Sequence, residues 1–296
     1  MILNNLSKSD LQKLGQKMGL FITGLDKHLL TEKISNSMCH HFPHIAFCFL
    51  VYSHVEHGKI WEKFFKQDMY GTANIYSHIK ENNSETQEWL LPGQARTVHT
   101  EWCGENLVKA FCQMLKKALL NTKNEYFCLL SGSCIPLKNY EKTYDSITKL
   151  SKSSMCYWKV RKSVEPILGA SQWVILNREC ASDLLKLYKP KNKTAKKFLK
   201  KIRKIRKNNM QQGLQSHCPD ELYPINWFSK LYGNNLSKKI KNQVTTYVLW
   251  EDYNDNPTKL NQKKVDEYYT EICQPNHLFA RKFYKTTAKN IAMQCD

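Results

Sequence analysis

One short stretch of the chain combines acidic side chains with prolines, at Cys218-Pro219-Asp220-Glu221-Leu222-Tyr223-Pro224. Proline is tolerated in the first turn of a helix, and acidic side chains there meet the positive end of the helix dipole. Because Pro224 would break a helix already under way, we expect the helix to begin near Glu221. A carboxylate at the mouth of a helix is well placed to act as a general base. Taken alone, however, the stretch fits an ordinary acidic first turn of a helix better than it fits a catalytic site.

The composition is that of a globular protein with a substantial core. The chain has 296 residues, of which 42% are apolar, enough for one large domain or one and a half. Its longest apolar run, residues 45–52, has the length of a strand and not of a membrane span. The N-terminus lacks the basic and apolar regions of a signal peptide. Eleven scattered cysteines without CxxC pairs predict reduced thiols, and these features together predict a cytoplasmic protein.

The charge of the chain predicts an anionic partner. A formal net charge of +19 fits nucleic acid, an acidic surface or a phosphate-bearing substrate. Much of this charge lies in the basic segment 186–207. The last acidic residue before this segment is Asp183, and the segment itself contains none. We interpret this segment first as a solvated helix. The functional alternative is a contact for nucleic acid, an acidic acceptor or a membrane surface.

Residues 1–40 have the pattern of a small helical module. Apolar residues at helical spacing predict a first helix over residues 6–18 and a second over 25–34, with a turn at Gly24. The pattern resembles a SAP-type helix–turn–helix, a family that often binds DNA. A helical hairpin that packs on the main domain or on a partner is an equal alternative.

From residue 44 onward, strands and helices alternate. The strands are predicted at Ile45–Tyr52, Ala73–Ile79, Glu125–Ser131 and Ser171–Leu176. The helices are predicted at His57–Lys66, Trp102–Leu120, Tyr140–Leu150 and Arg178–Tyr188. This rhythm predicts an α/β domain with a mostly parallel sheet flanked by helices. Ligands of such sheets bind beyond the carboxyl ends of the strands, which places His78, the turn 131–136 and Trp173 near one edge.

Signatures of metal and nucleotide binding are absent from the sequence. It contains no GxGxxG, no P-loop, no HExxH and no Asp-x-Asp. The nearest acidic cluster, residues 251–255, fits a solvated turn better than a cation site. The cysteines and histidines between residues 39 and 48 fit no standard zinc spacing and are interpreted as linker and strand. We therefore expect no metal and no bound cofactor.

Taken in order, eight segments of the chain resemble one family. They are HIAFCFLVYS, IYSHIK, WCGENLVKAFCQMLKKAL, EYFCLLSGSCIPL, GASQWVILNRE, CPDELYPINWF, TTYVLWEDYNDNPTKL and HLFARKF. Their order and spacing resemble the core-2/I-branching β-1,6-N-acetylglucosaminyltransferases and their plant relatives, which form glycosyltransferase family 14. The resemblance covers residues 44–283, and its specific pieces are LLSGSCIPL, GASQW, the Pro-Asp-Glu turn and LFARKF.

The resemblance implies a GT-A-like fold for residues 44–296 and an inverting, metal-independent transfer from a UDP-sugar, with N-acetylglucosamine or xylose as the sugar. It also implies roles for single residues. Glu221 matches the general base, and Lys282 matches the residue that binds the donor diphosphate. The predicted donor-binding residues are Lys282, Arg281, His78 and Ser131. The predicted acceptor-binding residues are Trp250, Trp173 and Arg161.

The chemistry of sugar transfer asks for the same residue types. An acceptor hydroxyl must lose its proton as it attacks, and the diphosphate that leaves needs a metal or fixed basic side chains. Arg281 and Lys282 are the natural candidates for the diphosphate, although Lys282 alone would fit an exposed strand residue. An aromatic floor is expected under a sugar. Trp250 fits that floor and core packing equally well, whereas Trp173 fits core packing better.

The chain departs from the family pattern at several points. Lys80 stands where the family often has Asp, and the family's second diphosphate-binding Arg has no clear match, so that Lys259 or Lys263 would replace it. Neither the disulfide pattern nor the membrane anchor of the Golgi members is evident. The alternative from another class is a basic nucleic-acid-binding protein on a degenerate transferase fold. Such a protein would have no need of both Glu221 and Lys282.

Overall fold

The structure is a computed structural model that describes residues 3, 6–214, 217–251 and 256–295. Four residues of the predicted acidic turn, 252–255, lie outside the described residues, and so do the side chains of residues 35–41. The strands are β1 His44–Val51, β2 Ala73–Ile79, β3 Asn124–Ser131, β4 Ile135–Pro136, β5 Ser153–Lys159, β6 Leu168–Asn177, β7 Ile240–Lys241, β8 Thr246–Val248 and β9 Phe279–Arg281.

The helices lie between and beside these strands. They are α1 Lys8–Lys17, α2 Lys27–His41, α3 Gly58–Phe65, α4 Asn106–Ala118, α5 Tyr140–Thr148, α6 Arg178–Leu185, α7 Lys193–Gln211, α8 Pro219–Tyr232, α9 Leu236–Lys239, α10 Gln262–Glu267, α11 Tyr269–Ile272 and α12 Lys285–Ile291. The alternation of strands and helices in the first half of the domain therefore matches the prediction. The sequence did not predict β5.

The central sheet has the strand order β2-β1-β3-β6-β5-β7. Strand β1 pairs in parallel with β2 and with β3, whereas β6 runs antiparallel to both β3 and β5. Strand β7 pairs in parallel with β5. The α/β architecture with a mostly parallel sheet and flanking helices is thus confirmed, and it is consistent with a GT-A-like fold.

Helices cover both faces of this sheet. Alternate residues of β1 point to opposite faces. Ala46 and Cys48 join the core formed with α4, α6, α7 and α8, whereas Phe47 and Phe49 join the core formed with α3 and α5. Burial of both faces explains why β1 is a nearly continuous apolar run in the sequence.

A second, smaller sheet contains β9, the last strand of the chain. Its order is β4-β9-β8, with β9 antiparallel to β4 and parallel to β8. Its own core includes Ile135, Tyr247, Leu260 and Phe283. Because β4 follows directly after the β3 turn, this sheet holds the end of β9 beside the carboxyl edge of the central sheet.

Helix α8 begins at Pro219, and Pro224 lies inside it. The expectation that the helix begins near Glu221 was therefore wrong by two residues. The pyrrolidine ring of Pro224 removes only the hydrogen bond that its N–H would give to the carbonyl of Asp220, in the first turn of the helix. A bond lost at this end is less costly than one lost in the interior, since the first turn is already incomplete.

The N-terminal helices pack around a small core of their own. This core contains Leu11, Leu14, Leu30 and Ile34, and Tyr70 of the main domain packs against it. Helix α2 continues to residue 41, so that the predicted linker after residue 34 is helical. The division of the chain at residue 40 and the SAP-like character of the module remain predictions.

The basic segment is not a fully solvated helix. Most of it forms α7, and one stripe of α7 is buried in the main core, at Ala195, Phe198, Leu199, Ile202 and Ile205. The ring of Phe198 lies 5.4 Å from that of Trp227 in α8. The prediction of a solvated helix holds only for the opposite face, because the apolar residues recur at helical spacing among the lysines.

The prediction of reduced thiols was wrong for four cysteines. Disulfides join Cys103 to Cys218 and Cys273 to Cys295, across sequence separations of 115 and 22 residues. Spacing in the sequence carries no information about which distant cysteines meet in the fold, and the absence of CxxC pairs was therefore a poor guide. Separately, among the described residues, no helix combines the length and the apolar character needed to cross a membrane.

Candidate active site

Glu221 stands at the mouth of α8, with its carboxylate at the protein surface. Its Oε2 accepts a hydrogen bond from the backbone N–H of Cys218 at 3.3 Å, which closes a capping box. The same oxygen lies 3.5 Å from Nδ1 of His217. The side chain is 30% exposed, so a ligand can reach it. A carboxylate that is held in place yet accessible meets the geometric requirement for a general base.

Three contacts fix the turn that carries Glu221. The disulfide to Cys103 holds Cys218, the residue before the helix. The guanidinium of Arg206 in α7 donates from Nε to the carbonyl of His217 at 3.0 Å. The ring of Trp158 packs edge-on against His217, with ring centroids 5.6 Å apart. The position of the carboxylate is therefore set by three elements outside its own helix.

The neighbouring Asp220 is in a different environment. Burial, and after it the charge of Glu221, raises the pKa of Asp220 to about 7. Its Oδ1 is buried and has no hydrogen-bond partner among the described residues. It lines a small cavity in the core with Phe111, Leu129 and Pro224. Of the two adjacent carboxyl groups, Asp220 faces the core and Glu221 faces solvent.

A second centre, the cation cluster, consists of Arg281, Lys282 and Lys259. The guanidinium of Arg281 lies 4.6 Å from the ring centroid of Trp173, and burial lowers the pKa of Arg281. Burial, and after it the charge of Arg281, also lowers the pKa of Lys282. The charge of Glu56 acts on both Arg281 and Lys282, and its Oε2 lies 3.8 Å from Nζ of Lys259. Among the described residues, the positive charge of this centre thus exceeds the negative charge, which favours an anionic ligand.

The loops that follow β1 and β3 line the cation cluster, as expected for the carboxyl edge of a parallel sheet. The N–H of Glu56 donates to the carbonyl of Gly132 at 2.8 Å. A Cβ atom at Gly132 would lie only 2.8 Å from the carbonyl oxygen of His54, so this close approach requires glycine. Ser131 hydrogen-bonds within its own turn, with its hydroxyl 3.1 Å from that of Ser133.

His57 belongs to this centre, although the sequence analysis placed it only in a helix. Its ring is buried, and its Nε2 has no hydrogen-bond partner in the described part of the chain. Burial lowers the pKa of His57. The signal that could have identified it is its position just beyond the carboxyl end of β1, beside Glu56.

His78 lies at the predicted edge but is fully buried. Its Nε2 accepts a hydrogen bond from the N–H of Val98 at 2.9 Å, and the hydroxyl of Thr97 donates to the carbonyl of Ile79 at 3.2 Å. Burial lowers the pKa of His78. The imidazole thus fastens the segment after residue 95 to the end of β2. Its contact with a donor remains a prediction.

The three predicted acceptor-binding residues lie in different surroundings. Trp173 is buried under Arg281, so the packing interpretation describes it correctly. Trp250 is 56% exposed, and the alternative of core packing was wrong for it. Arg161 is exposed in the loop between β5 and β6. Within the described part of the chain, no hydrogen bond or ion pair joins Trp250 or Arg161 to Glu221.

The three lysines noted at the departures from the family pattern also have defined positions. The ammonium of Lys80 lies over the ring of Tyr52, 5.1 Å from its centroid. Lys259 belongs to the cation cluster and contacts the ring of Tyr284, whereas Lys263 is exposed on α10. Of the two candidates for the missing arginine, Lys259 therefore lies in the cation cluster, whereas Lys263 does not.

Buried polar side-chain atoms without partners occur at both centres. Among the residues that the structure describes there are eight such atoms, and four of them lie at or beside the centres: Nε2 of His57, Nε of Arg281, Nε2 of His217 and Oδ1 of Asp220. Such atoms are rare in folded proteins and often mark functional sites. Within the same residues, no group of three or more His, Cys, Asp or Glu side chains is arranged to hold a metal ion.

The sequence is similar to one family of known proteins and to one curated relative. Residues 45–166 match the family model described as Core-2/I-Branching enzyme. A curated relative from Oryza sativa subsp. japonica, glycosyltransferase BC10, is 27% identical over 155 residues, which are 46% of this chain and 39% of that protein. The match thus spans well under half of the relative's length, and the matched family region ends before Glu221 and Lys282. In its first half, the chain is therefore similar to the core-2/I-branching enzymes.

Proposed function

We propose that the protein is an inverting glycosyltransferase that uses a UDP-sugar. Glu221 acts as the general base, and Lys282 and Arg281 bind the donor diphosphate. The observation that carries this proposal is the presence of two complementary centres, an accessible carboxylate at a helix mouth and a cation cluster at the carboxyl edge of the sheet. The family match and the name of the rice relative support it.

In the proposed reaction, an acceptor hydroxyl attacks the anomeric carbon of the donor as Glu221 takes the hydroxyl proton. The bond from the anomeric carbon to the diphosphate oxygen breaks, and the leaving UDP carries the additional negative charge. Lys282 and Arg281, with Lys259 beside them, stabilise that charge. A single displacement of this kind inverts the configuration at the anomeric carbon.

We propose that the reaction does not depend on a metal, because the basic side chains of the cation cluster can stabilise the leaving group. The sugar, N-acetylglucosamine or xylose, is proposed from the resemblance alone. Trp250 remains the proposed aromatic floor for the acceptor, since its exposed ring is free to stack on a sugar. The alternative of a nucleic-acid-binding protein has no support from the comparisons.

Donor consumption tests the proposal without knowledge of the acceptor. Purified protein is incubated with UDP-N-acetylglucosamine, UDP-xylose and other UDP-sugars in EDTA and then in Mn²⁺, and release of UDP is followed. We expect one donor to be consumed equally in both conditions and to give a sugar of inverted configuration in its early NMR spectrum. Retention of configuration, or consumption of no UDP-sugar in either condition, would contradict the proposal.

A further inference from the structure

We infer that the acceptor of the proposed transfer is a negatively charged glycan, which lies along the exposed lysine face of α7 and places a sugar ring on Trp158. This inference rests on the proposed function and specifies the class of its acceptor. The lysine face is defined by Lys197, Lys200, Lys204 and Lys207.

The lysine face is formed by the amphipathic pattern of α7. The apolar stripe that includes Phe198, Ile202 and Ile205 is buried in the core, so that the four lysines all lie on the opposite, exposed side. No Asp or Glu occurs between Asp183 and Asp220 in the sequence, so α7 contains no acid to neutralise them. In the described structure these four lysines take part in no ion pair.

Helix α7 is attached directly to the turn that carries the general base. Arg206 donates to the carbonyl of His217, and the N–H of Val164 donates to the side chain of Asn209 at 3.0 Å. Arg203 makes two hydrogen bonds with Glu105, at 2.8 and 2.7 Å. The arginines of α7 therefore have structural contacts within the protein, whereas the four lysines of the face remain available to a ligand.

The neighbouring loop extends the basic surface toward the site. Arg161 and Lys162 are exposed in the loop between β5 and β6. Lys201 of α7 reaches the same loop through an ion pair with Glu165, at 2.7 Å. Helix and loop thus form one basic surface beside the turn of Glu221.

Trp158 provides an aromatic platform where this surface meets the base. The ring is 39% exposed and packs on His217, four residues before Glu221 in the chain. A Cβ atom at Gly169 would lie 2.7 Å from Nε1 of Trp158, so the glycine allows the ring to lie flat against β6. An exposed aromatic ring held rigid beside a general base can stack on the apolar face of a sugar.

A glycan fits these observations better than a membrane or a nucleic acid. A helix that binds a membrane inserts its apolar face, but the apolar face of α7 is in the protein core. A nucleic acid would also bind the positive charge of the lysine face. Its binding would not explain why this charge lies on a helix that contacts the turn of Glu221. A chain of sugars with carboxylate or sulfate groups can use the lysines, Trp158 and Glu221 together.

The test compares two variants of equal charge. In the face variant, Lys197, Lys200, Lys204 and Lys207 are replaced by Gln. In the control variant, exposed lysines elsewhere, Lys63, Lys66, Lys116 and Lys289, are replaced by Gln. Binding is measured by calorimetry with a heparin octasaccharide, an oligogalacturonate octamer and a neutral galactan octamer, at 50 and 200 mM NaCl.

We expect the wild-type protein and the control variant to bind an acidic octamer and not the neutral one, more weakly at the higher salt. The face variant should bind it on the order of tenfold more weakly, since each exposed ion pair contributes modestly. Trp158→Ala should also weaken binding of the acidic octamer. Circular dichroism and unfolding temperature confirm that each variant is folded.

Three outcomes would overturn the inference: equal binding of neutral and acidic octamers, equal weakening in both lysine variants, or tighter binding of duplex DNA or anionic phospholipid vesicles with no effect of Trp158→Ala. Binding of UDP, measured in the same proteins, separates this inference from the proposed function. If UDP binds and the face variant behaves as the control does, only the acceptor class is wrong. If no variant binds UDP, the proposed function itself is wrong.

Discussion

The two centres of the site are built in different ways. The cation cluster lies at and beside the end of β9 and is lined by the loop after β1 and the turn after β3, and burial lowers the pKa of both Arg281 and Lys282. The mouth of α8 is built from one turn, which a disulfide, an arginine of α7 and the ring of Trp158 hold from outside. The first centre is part of the sheet architecture. The second depends on contacts from separate parts of the chain.

This difference indicates where specificity resides. Any UDP-sugar presents the same diphosphate, so its binding site can be a fixed feature of the fold. Acceptors differ in charge and shape, and under the proposed function the elements around Glu221 would distinguish them. Substitutions at the two centres should therefore have separable effects.

The largest effect is expected from Glu221→Gln. It removes the proton acceptor and keeps the size of the side chain, so transfer should fall about 10²- to 10⁴-fold while UDP affinity is unchanged. The measurement is the rate of UDP release with the best donor, together with UDP binding by calorimetry. Glu62→Gln, at an exposed position of α3, is the control. Full activity in Glu221→Gln would exclude this residue as the base.

The next effect concerns Asp220 and pH. The pKa of this carboxyl is raised to about 7 in the folded protein, from 3.8. The folded state therefore holds the proton more tightly, and the contribution of Asp220 to stability is complete below about pH 4 and is lost as the pH rises through about 7. The loss is up to about 4 kcal/mol at 1.36 kcal/mol per pKa unit.

Asp220→Asn should remove this part of the pH dependence. The free energy of unfolding of the variant, relative to the wild type, should increase by several kcal/mol between pH 4.5 and 8.5, in denaturant titrations at each pH. Arg206 and Glu221 are the charged groups that act on Asp220, and both are retained in the variant. A difference between the two proteins that does not change with pH would contradict the raised pKa.

The third effect concerns the disulfide beside the base. Cys103→Ser with Cys218→Ser should lower the free energy of unfolding by about 2 to 4 kcal/mol, because the bond closes a long loop. Transfer should fall as well, since the turn of Glu221 loses one of its supports. Mass spectrometry of alkylated protein, prepared without reductant, checks the pairing. Free thiols at Cys103 and Cys218 in active protein would contradict this account.

The smallest effect is expected from Lys282→Met. It removes one charged hydrogen-bond donor, worth about 1.5 to 3 kcal/mol, so donor affinity should fall roughly tenfold to a hundredfold. Affinity for an acidic octamer should be unchanged, because the acceptor centre is intact. Lys289→Met, on the exposed side of α12, serves as the control. Equal losses of donor and acceptor affinity would mean that the two centres are not separable.

The sequence predicted the sheet better than it predicted the site. Strand β2 was predicted to the residue, and β1 and β3 to within one residue. Strands β1 and β3 contain continuous apolar runs with clear ends. The surroundings of Glu221 were not predicted. His217, Trp158 and Cys103 come from three separate parts of the chain, and no local pattern in the sequence shows that a fold will bring them together.

The prediction for the basic segment shows the same limit. Its charge was evident in the sequence, but its apolar stripe was overlooked among the lysines, and the segment was interpreted as solvated. In the structure, Arg206 of α7 holds the turn of Glu221, while the exposed face of α7 carries the lysines. Only the fold shows that this basic helix contacts the turn that carries the proposed base.

The most direct test of the account is thermal unfolding with UDP in EDTA, for the wild type and for Lys282→Met. A ligand at a hundred times its dissociation constant stabilises the folded state by about 2.7 kcal/mol, which is readily measured. We predict a UDP-dependent increase in the unfolding temperature of the wild type that is much smaller in Lys282→Met. If the wild type shows no increase in EDTA but shows one in Mn²⁺, the cation cluster does not bind the diphosphate by itself, and the central claim is wrong.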